Sequence, residues 1–209
     1  MVMNQEGYSM VKDIVAVDID DVLYNTSILI MERIPTYLRS IGIEPKIRKV
    51  SYNIAEMFGI TKEQAKSVWG KAVPLNDKEY LNYDAIAALK QLQEKYGVKY
   101  HIVSARYMDD SLKKTKEKTA ALLEDTGLNI EEIHIGVRNK AKFCEEKGYV
   151  TLLDDYVRNI EQFKGRVIKP ILVSTPNVFH NKDVVGDYFY TLTNWSELDS
   201  VYRKVKNIA

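Results

Sequence analysis

Short apolar runs alternate with amphipathic segments along most of this chain, and that alternation leaves few folds open. The runs "IVAVDID", "VKYHIVSAR", "IHIGV", "YVTLLDD", "PILVS" and "YFYTL" read as strands. Between them, "YDAIAALKQLQEKYG" sets Ile86, Leu89 and Leu92 on one side and stops at Gly97. "DDSLKKTKEKTAALLEDTG" is a second helix closed by Gly127, with a lysine-rich face that reads as solvated, and "NKAKFCEEKG" is a third. "NWSELDSVYRKV" closes the chain as a helix, with Asn194 and Glu197 spaced as a capping pair. Strands alternating with helices predict an α/β fold, a Rossmann-like parallel sheet with helices on both faces.

One segment breaks the alternation. Between Thr26 and Leu81 no run has the look of a buried strand. "SILIMERIPTYLRSIG" is helical in pattern, and Pro35 predicts a kink or a restart within it. "TKEQAKSVWGKAV" opens with Thr61 and Gln64 in capping-box spacing. So long a connection is unusual inside a core. The expected organisation is an α/β core from residues 1–25 and 82–209, with a small helical cap, 26–81, inserted after the first strand.

Composition narrows the function classes. With 209 residues the chain can bury a sizeable core. A net charge of +1 supplies no field to attract a nucleic acid polymer or an anionic membrane. No run reaches membrane-spanning length, and the start lacks the pattern of a signal peptide. Cys144 is the only cysteine, which excludes an internal disulfide and a cysteine zinc cluster. A cytoplasmic location is the expectation; the sequence is silent on oligomeric state.

Acids collect where strands end. "IVAVDIDDVLYN" runs from buried strand into Asp18, Asp20 and Asp21, "HIVSAR" ends at Ser104, and "TLLDD" ends at Asp154 and Asp155. Lys140 opens the helix before the fourth strand. Ligands of an open parallel sheet bind beyond the carboxyl ends of its strands. Asp18 and Asp20, two apart on an extended strand, would face the same way. Paired carboxylates repel unless a cation sits between them, and an all-oxygen set suits Mg²⁺. A metal, a lysine and a hydroxyl around a carboxylate suit a phosphoryl group. Each residue also has a plain reading: Asp154 and Asp155 as helix caps, Ser104 as a turn residue, Lys140 as a solvated lysine. Together, and in this order, they favour the functional reading.

At these residues the chain resembles a known family. "DIDDVL" is similar to the first motif of the haloacid dehalogenase superfamily, "HIVSAR" to the second, Lys140 in "VRNKAKFCEEKG" to the third and "LLDD" to the fourth. Within the superfamily the pattern is closest to 5′-nucleotidases of the deoxyribonucleotidase type, although Asp21 stands where that branch often has Gly. The resemblance implies Asp18 as the nucleophile that forms an aspartyl-phosphate and Asp20 as the general acid and base. It implies Mg²⁺ held by Asp18, the carbonyl of Asp20 and Asp154, with Asp155 orienting these ligands. Ser104 and Lys140 would bind the phosphate.

Arg106 could reach the phosphate or a substrate hydroxyl, or form a structural salt bridge. Asp21 has no role beyond a turn or a helix cap. Tyr52, Phe58 and Trp69 could stack on a base, but a small cap core is the better reading. His101 and His134 lie in strands and read as core or edge residues, and His180 has no assigned role. The expected activity is Mg²⁺-dependent hydrolysis of a phosphomonoester, with a nucleoside 5′-monophosphate favoured. A sugar-phosphate phosphatase or mutase using the same residues is the alternative. A phospho-receiver is disfavoured, since it carries adjacent acids on the first strand and has no place for the insert.

Overall fold

The computed structural model describes residues 13–51, 53–73, 76–106, 111–178, 180 and 186–208. Six strands form one parallel sheet: β1 (Ile14–Val17), β2 (Lys99–Ser104), β3 (Ile130–Ile135), β4 (Thr151–Asp154), β5 (Ile171–Val173) and β6 (Tyr190–Leu192). Their order is β3-β2-β1-β4-β5-β6. Val15, Ala16 and Val17 of the central β1 have no exposed surface, as expected of an apolar strand covered on both faces. The helices between strands are α4 (Tyr83–Tyr96), α5 (Leu112–Leu123), α6 (Lys140–Lys147) and α7 (Val157–Glu161), and α8 (Leu198–Lys206) follows β6. Gly97 and Gly148 end α4 and α6 at φ of 67°, a left-handed conformation that glycine adopts without strain. Successive strands step from β1 outward to β3, and then the chain crosses back to β4 on the other side of β1. That reversal leaves a crevice at the carboxyl ends of β1 and β4.

The segment between β1 and α4 holds α1 (Thr26–Ser40), α2 (Ile54–Phe58) and α3 (Lys62–Ala72). Thr61 and Gln64 make the reciprocal capping bonds that their spacing predicts. The chain enters and leaves this segment side by side. Asn25 donates to the Tyr80 carbonyl at 2.8 Å, Asn82 donates to that of Leu23 at 2.9 Å, and Tyr24 bridges Leu81 in antiparallel sense.

Three local expectations change. First, α1 runs unbroken through Pro35. Proline removes one helical bond, but Leu29, Ile30, Ile34 and Leu38 form one buried stripe across it, and that packing holds the helix together. Second, β1 ends at Val17, before either acid of the motif. The Ile19 carbonyl accepts the N–H groups of Val22, Leu23 and Tyr24, so the acids of the motif stand in the loop where the chain leaves the strand and turns. Third, Asn194 caps a 3-10 turn through Ser196 N–H, while the Glu197 carboxylate accepts from Thr193 Oγ1 instead of closing a reciprocal box. No helix is long and apolar enough to cross a membrane among the described residues.

Candidate active site

Three adjacent strands bring the motif residues together. Ser104 is the last residue of β2 and Asp154 the last of β4, while Asp18 follows β1 with its N–H bonded to the Leu153 carbonyl at 2.9 Å. Lys140 begins α6 and is wholly buried. Its Nζ donates to Asp154 Oδ2 at 2.5 Å and lies 2.7 Å from Asp18 Oδ2, so one ammonium bridges the two carboxylates. Burial opposes the lysine's charge, but Asp154 and Asp18 outweigh it and hold the group protonated well above its ordinary range. Asp154 also accepts from the Tyr156 N–H at 2.8 Å and from Asn159 Nδ2. These bonds fix the turn between β4 and α7, although no side chain among the described residues caps that helix.

Asp18 is less fully paired. Its Oδ1 is buried and has no hydrogen-bond partner among the described residues. Burial pushes its carboxyl up to about 6 against the pull of Lys140, and Asp154 and Asp20 add to the rise. Oxygen atoms of Asp18, Asp154 and Asp155 lie within 4.8 Å of one another. An orphaned carboxylate oxygen among all-oxygen donors fits a hard divalent cation such as Mg²⁺.

Asp20 is placed differently. Arg106 grips both of its oxygens, NH2 to Oδ1 at 2.6 Å and Nε to Oδ2 at 3.1 Å, and Thr26 of α1 donates to Oδ1 at 2.6 Å. Burial would raise this carboxyl, yet the guanidinium and the hydroxyl hold it below the ordinary carboxylate range. The buried guanidinium also lies 5.3 Å from the Tyr24 ring centroid. Of the two alternatives for Arg106, the structure displays the ion pair. The Ser104 Oγ accepts the Arg106 N–H at 3.1 Å.

Asp21 answers the question its position raises. It sits at φ 54°, a left-handed conformation that Asp tolerates, and accepts the backbone N–H of Ser27 at 2.6 Å and the Ser27 hydroxyl. It ties the start of α1 to the motif loop. Burial pushes its carboxyl up to about 7 against those bonds. Asp155 is buried beside it, and burial first, then Asp21 and the other carboxylates, push it well above its ordinary value.

His180, the residue that the sequence left without a role, places Nε2 2.9 Å from Asp155 Oδ2. No motif announced this, because the contact joins β4 to a loop beyond β5. Phe58 is buried and Trp69 packs against the main apolar core, both in packing positions; Tyr52 lies outside the described residues. His101 and His134 stand on β2 and β3, away from this cluster.

The comparisons with known proteins speak to the fold. No family model matches the chain, and no curated protein matches it. Solved structures do. A haloacid dehalogenase-like hydrolase from Streptococcus pneumoniae superposes with a TM-score of 0.64 at 11% identity, covering 91% of this chain and 98% of that one. A predicted phosphatase from Clostridium acetobutylicum gives 0.62 at 13% identity, over 94% and 99%. A β-phosphoglucomutase from Clostridium difficile gives 0.57 at 12%, over 94% and 98%. The chain has a haloacid dehalogenase-like fold.

Proposed function

We propose that the protein is a Mg²⁺-dependent phosphomonoester hydrolase working through an aspartyl-phosphate on Asp18. The observation that carries this reading is the buried Lys140 bridging Asp18 and Asp154, with Asp18 Oδ1 left without a partner among the described residues. Lys140 fixes the Asp18 carboxylate through Oδ2, the oxygen that would attack phosphorus, and leaves Oδ1 for the ion. The four-motif resemblance and the names of the fold's neighbours, which include a predicted phosphoglycolate phosphatase and a β-phosphoglucomutase, support phosphoryl chemistry.

In this mechanism Asp18, Asp154 and the Asp20 carbonyl would hold Mg²⁺, with Asp155 orienting them. When bound, the ion offsets the charge of the carboxylates and of the dianionic substrate. Asp18 attacks phosphorus, and the bond to the leaving ester oxygen breaks as the aspartyl-phosphate forms. Lys140 keeps Asp18 anionic and directs it. Ser104 accepts from the Arg106 N–H and has its own hydroxyl proton to give to a phosphate oxygen. Asp20 donates a proton to the leaving oxygen and takes one from the water that hydrolyses the intermediate. For that Arg106 must release it, and the phosphoryl dianion is the competing partner that draws the guanidinium away.

Residues 26–81 serve as a cap over the site, with α1 linked to it through Thr26 and Ser27. The favoured substrates are nucleoside 5′-monophosphates. A small sugar phosphate is the second reading, favoured by the β-phosphoglucomutase among the neighbours. Phosphate release from nucleoside monophosphates, sugar phosphates and phosphoserine, measured with Mg²⁺ and then with EDTA, decides between them. Turnover in EDTA equal to that in Mg²⁺, or none on any ester, would refute the proposal.

A further inference from the structure

Two of the chain's three histidines meet on the sheet outside the cluster around Asp18, and a register shift brings them together. Along β2 and β3, Tyr100 pairs with Ile130, but His101 pairs with Glu132 and Val103 with His134. Glu131 is the extra residue of a bulge. Paired residues on neighbouring strands share a face, and so do residues two apart. His101, Glu132 and His134 therefore project from one face. Without the bulge His101 would sit opposite Glu131, and Glu132 and His134 would turn to the other side.

The side chains converge. One donor atom from each of the three lies within 4.8 Å of the others. His134 Nε2 is 2.8 Å from Glu132 Oε2, and His101 Nδ1 is 3.9 Å from the same oxygen. Tetrahedral zinc, with ligand bonds of about 2.0–2.2 Å, separates its donors by roughly 3.3–3.5 Å, so these distances bracket the requirement. His134 Nε2 is buried and, although close to the carboxylate, lacks the alignment of a hydrogen bond.

The surroundings hold the rings in place. Tyr149 Oη lies 2.7 Å from His101 Nδ1, and the Phe143 ring of α6 packs edge-on against His134 at 4.8 Å. Burial lowers both imidazoles below their ordinary range, so both are neutral and able to ligate near neutral pH. Glu132 is partly exposed and gives a way in. Lys147, 3.3 Å from Glu132 Oε2, competes for the carboxylate, but it is an exposed lysine on a flexible stem and can swing away.

We propose that His101, Glu132 and His134 form a binding site for a single divalent transition-metal ion such as Zn²⁺, fastening β2 to the edge strand β3. Two imidazoles and a carboxylate are a donor set that selects Zn²⁺ or a similar borderline ion over Mg²⁺. The ion would take the place of the Tyr149 contact at His101 Nδ1 and leave a fourth position to water.

The test is a Co²⁺ titration of the full chain in excess Mg²⁺, read by visible absorption, followed by Zn²⁺ competition. One equivalent of Co²⁺ with the intense bands of a four- or five-coordinate site, displaced by Zn²⁺, is expected. Glu132→Gln and His134→Ala, both at partly exposed positions, should each weaken that binding by about 10–100-fold or more, with circular dichroism in Mg²⁺ unchanged. Only the weak absorption of octahedral Co²⁺ in the parent protein, or undiminished binding in both folded variants, would overturn the site. The parent spectrum decides even if one variant fails to fold.

Discussion

Lys140→Met is the sharpest perturbation of the candidate site. Methionine keeps most of the side chain's volume and removes its charge from a position with no exposed surface. Two buried carboxylates then lose the cation they share at 2.7 and 2.5 Å. Removing one partner of a buried ion pair costs about 3–5 kcal/mol, because the remaining charge is left uncompensated. At roughly 2–4 °C per kcal/mol for a chain of this size, the EDTA-treated variant should melt about 6–20 °C lower near pH 8. The loss should shrink in acid. Asp18 already rises from 3.8 to about 6 with Lys140 present, and the variant takes that group higher still. An acid whose folded pKa is raised destabilises the fold only as pH climbs above its unfolded value. The penalty is thus absent below about pH 4 and complete only above the variant's own pKa. Thermal melts from about pH 4.5 to 8, read by circular dichroism, measure it. Adding Asp18→Asn to Lys140→Met removes one orphaned charge and should recover part of the stability. A variant that melts within about 2 °C of the parent at pH 8, or a double variant no more stable than Lys140→Met alone, would refute a bridging ammonium.

Mg²⁺ should raise the melting temperature of the parent protein more near pH 7.5 than near pH 5, since below about 6 a proton competes for Asp18; an equal gain at both values would argue against Asp18 as a ligand. Asp18→Asn should abolish turnover and covalent labelling by a phosphate mimic, and Asp20→Asn should lower turnover roughly 10²–10⁴-fold while leaving labelling possible. Asp154→Asn should weaken Mg²⁺ binding measured calorimetrically and lower turnover, so an unchanged Mg²⁺ requirement counts against it. Asp21→Ala should cost about 1–3 kcal/mol in denaturant unfolding, from the left-handed backbone and the lost bonds to Ser27, and Asp21→Asn clearly less.

The sequence displayed what depends on neighbours in the chain and concealed what depends on neighbours in space. Apolar runs, glycine stops and the Thr61–Gln64 capping box are local, so the strands, α4, α6 and the start of α3 were readable. The convergence of Asp18, Ser104, Lys140 and Asp154 was readable because each stands at an element boundary, where chain direction alone puts it at the carboxyl end of the sheet. The pairing of Arg106 with Asp20 spans 86 positions and needs β2 beside β1. The approach of His180 to Asp155 needs β5 beside β4. Pro35 misled for a related reason: its local cost is certain, whereas the tertiary stripe that overrides it becomes visible only once α1 is packed. The bulge at Glu131 is subtler again, since one extra residue reverses which face Glu132 and His134 occupy, and no composition signals it. Substrate choice falls in the concealed class. Phe58 and Met57 of α2 are buried in one apolar cluster with strand residues such as Val15 and Val17, so their pattern reports packing. Under the proposed function, what the site admits depends on the side chains around Asp18, and helical periodicity gives those no distinguishing mark.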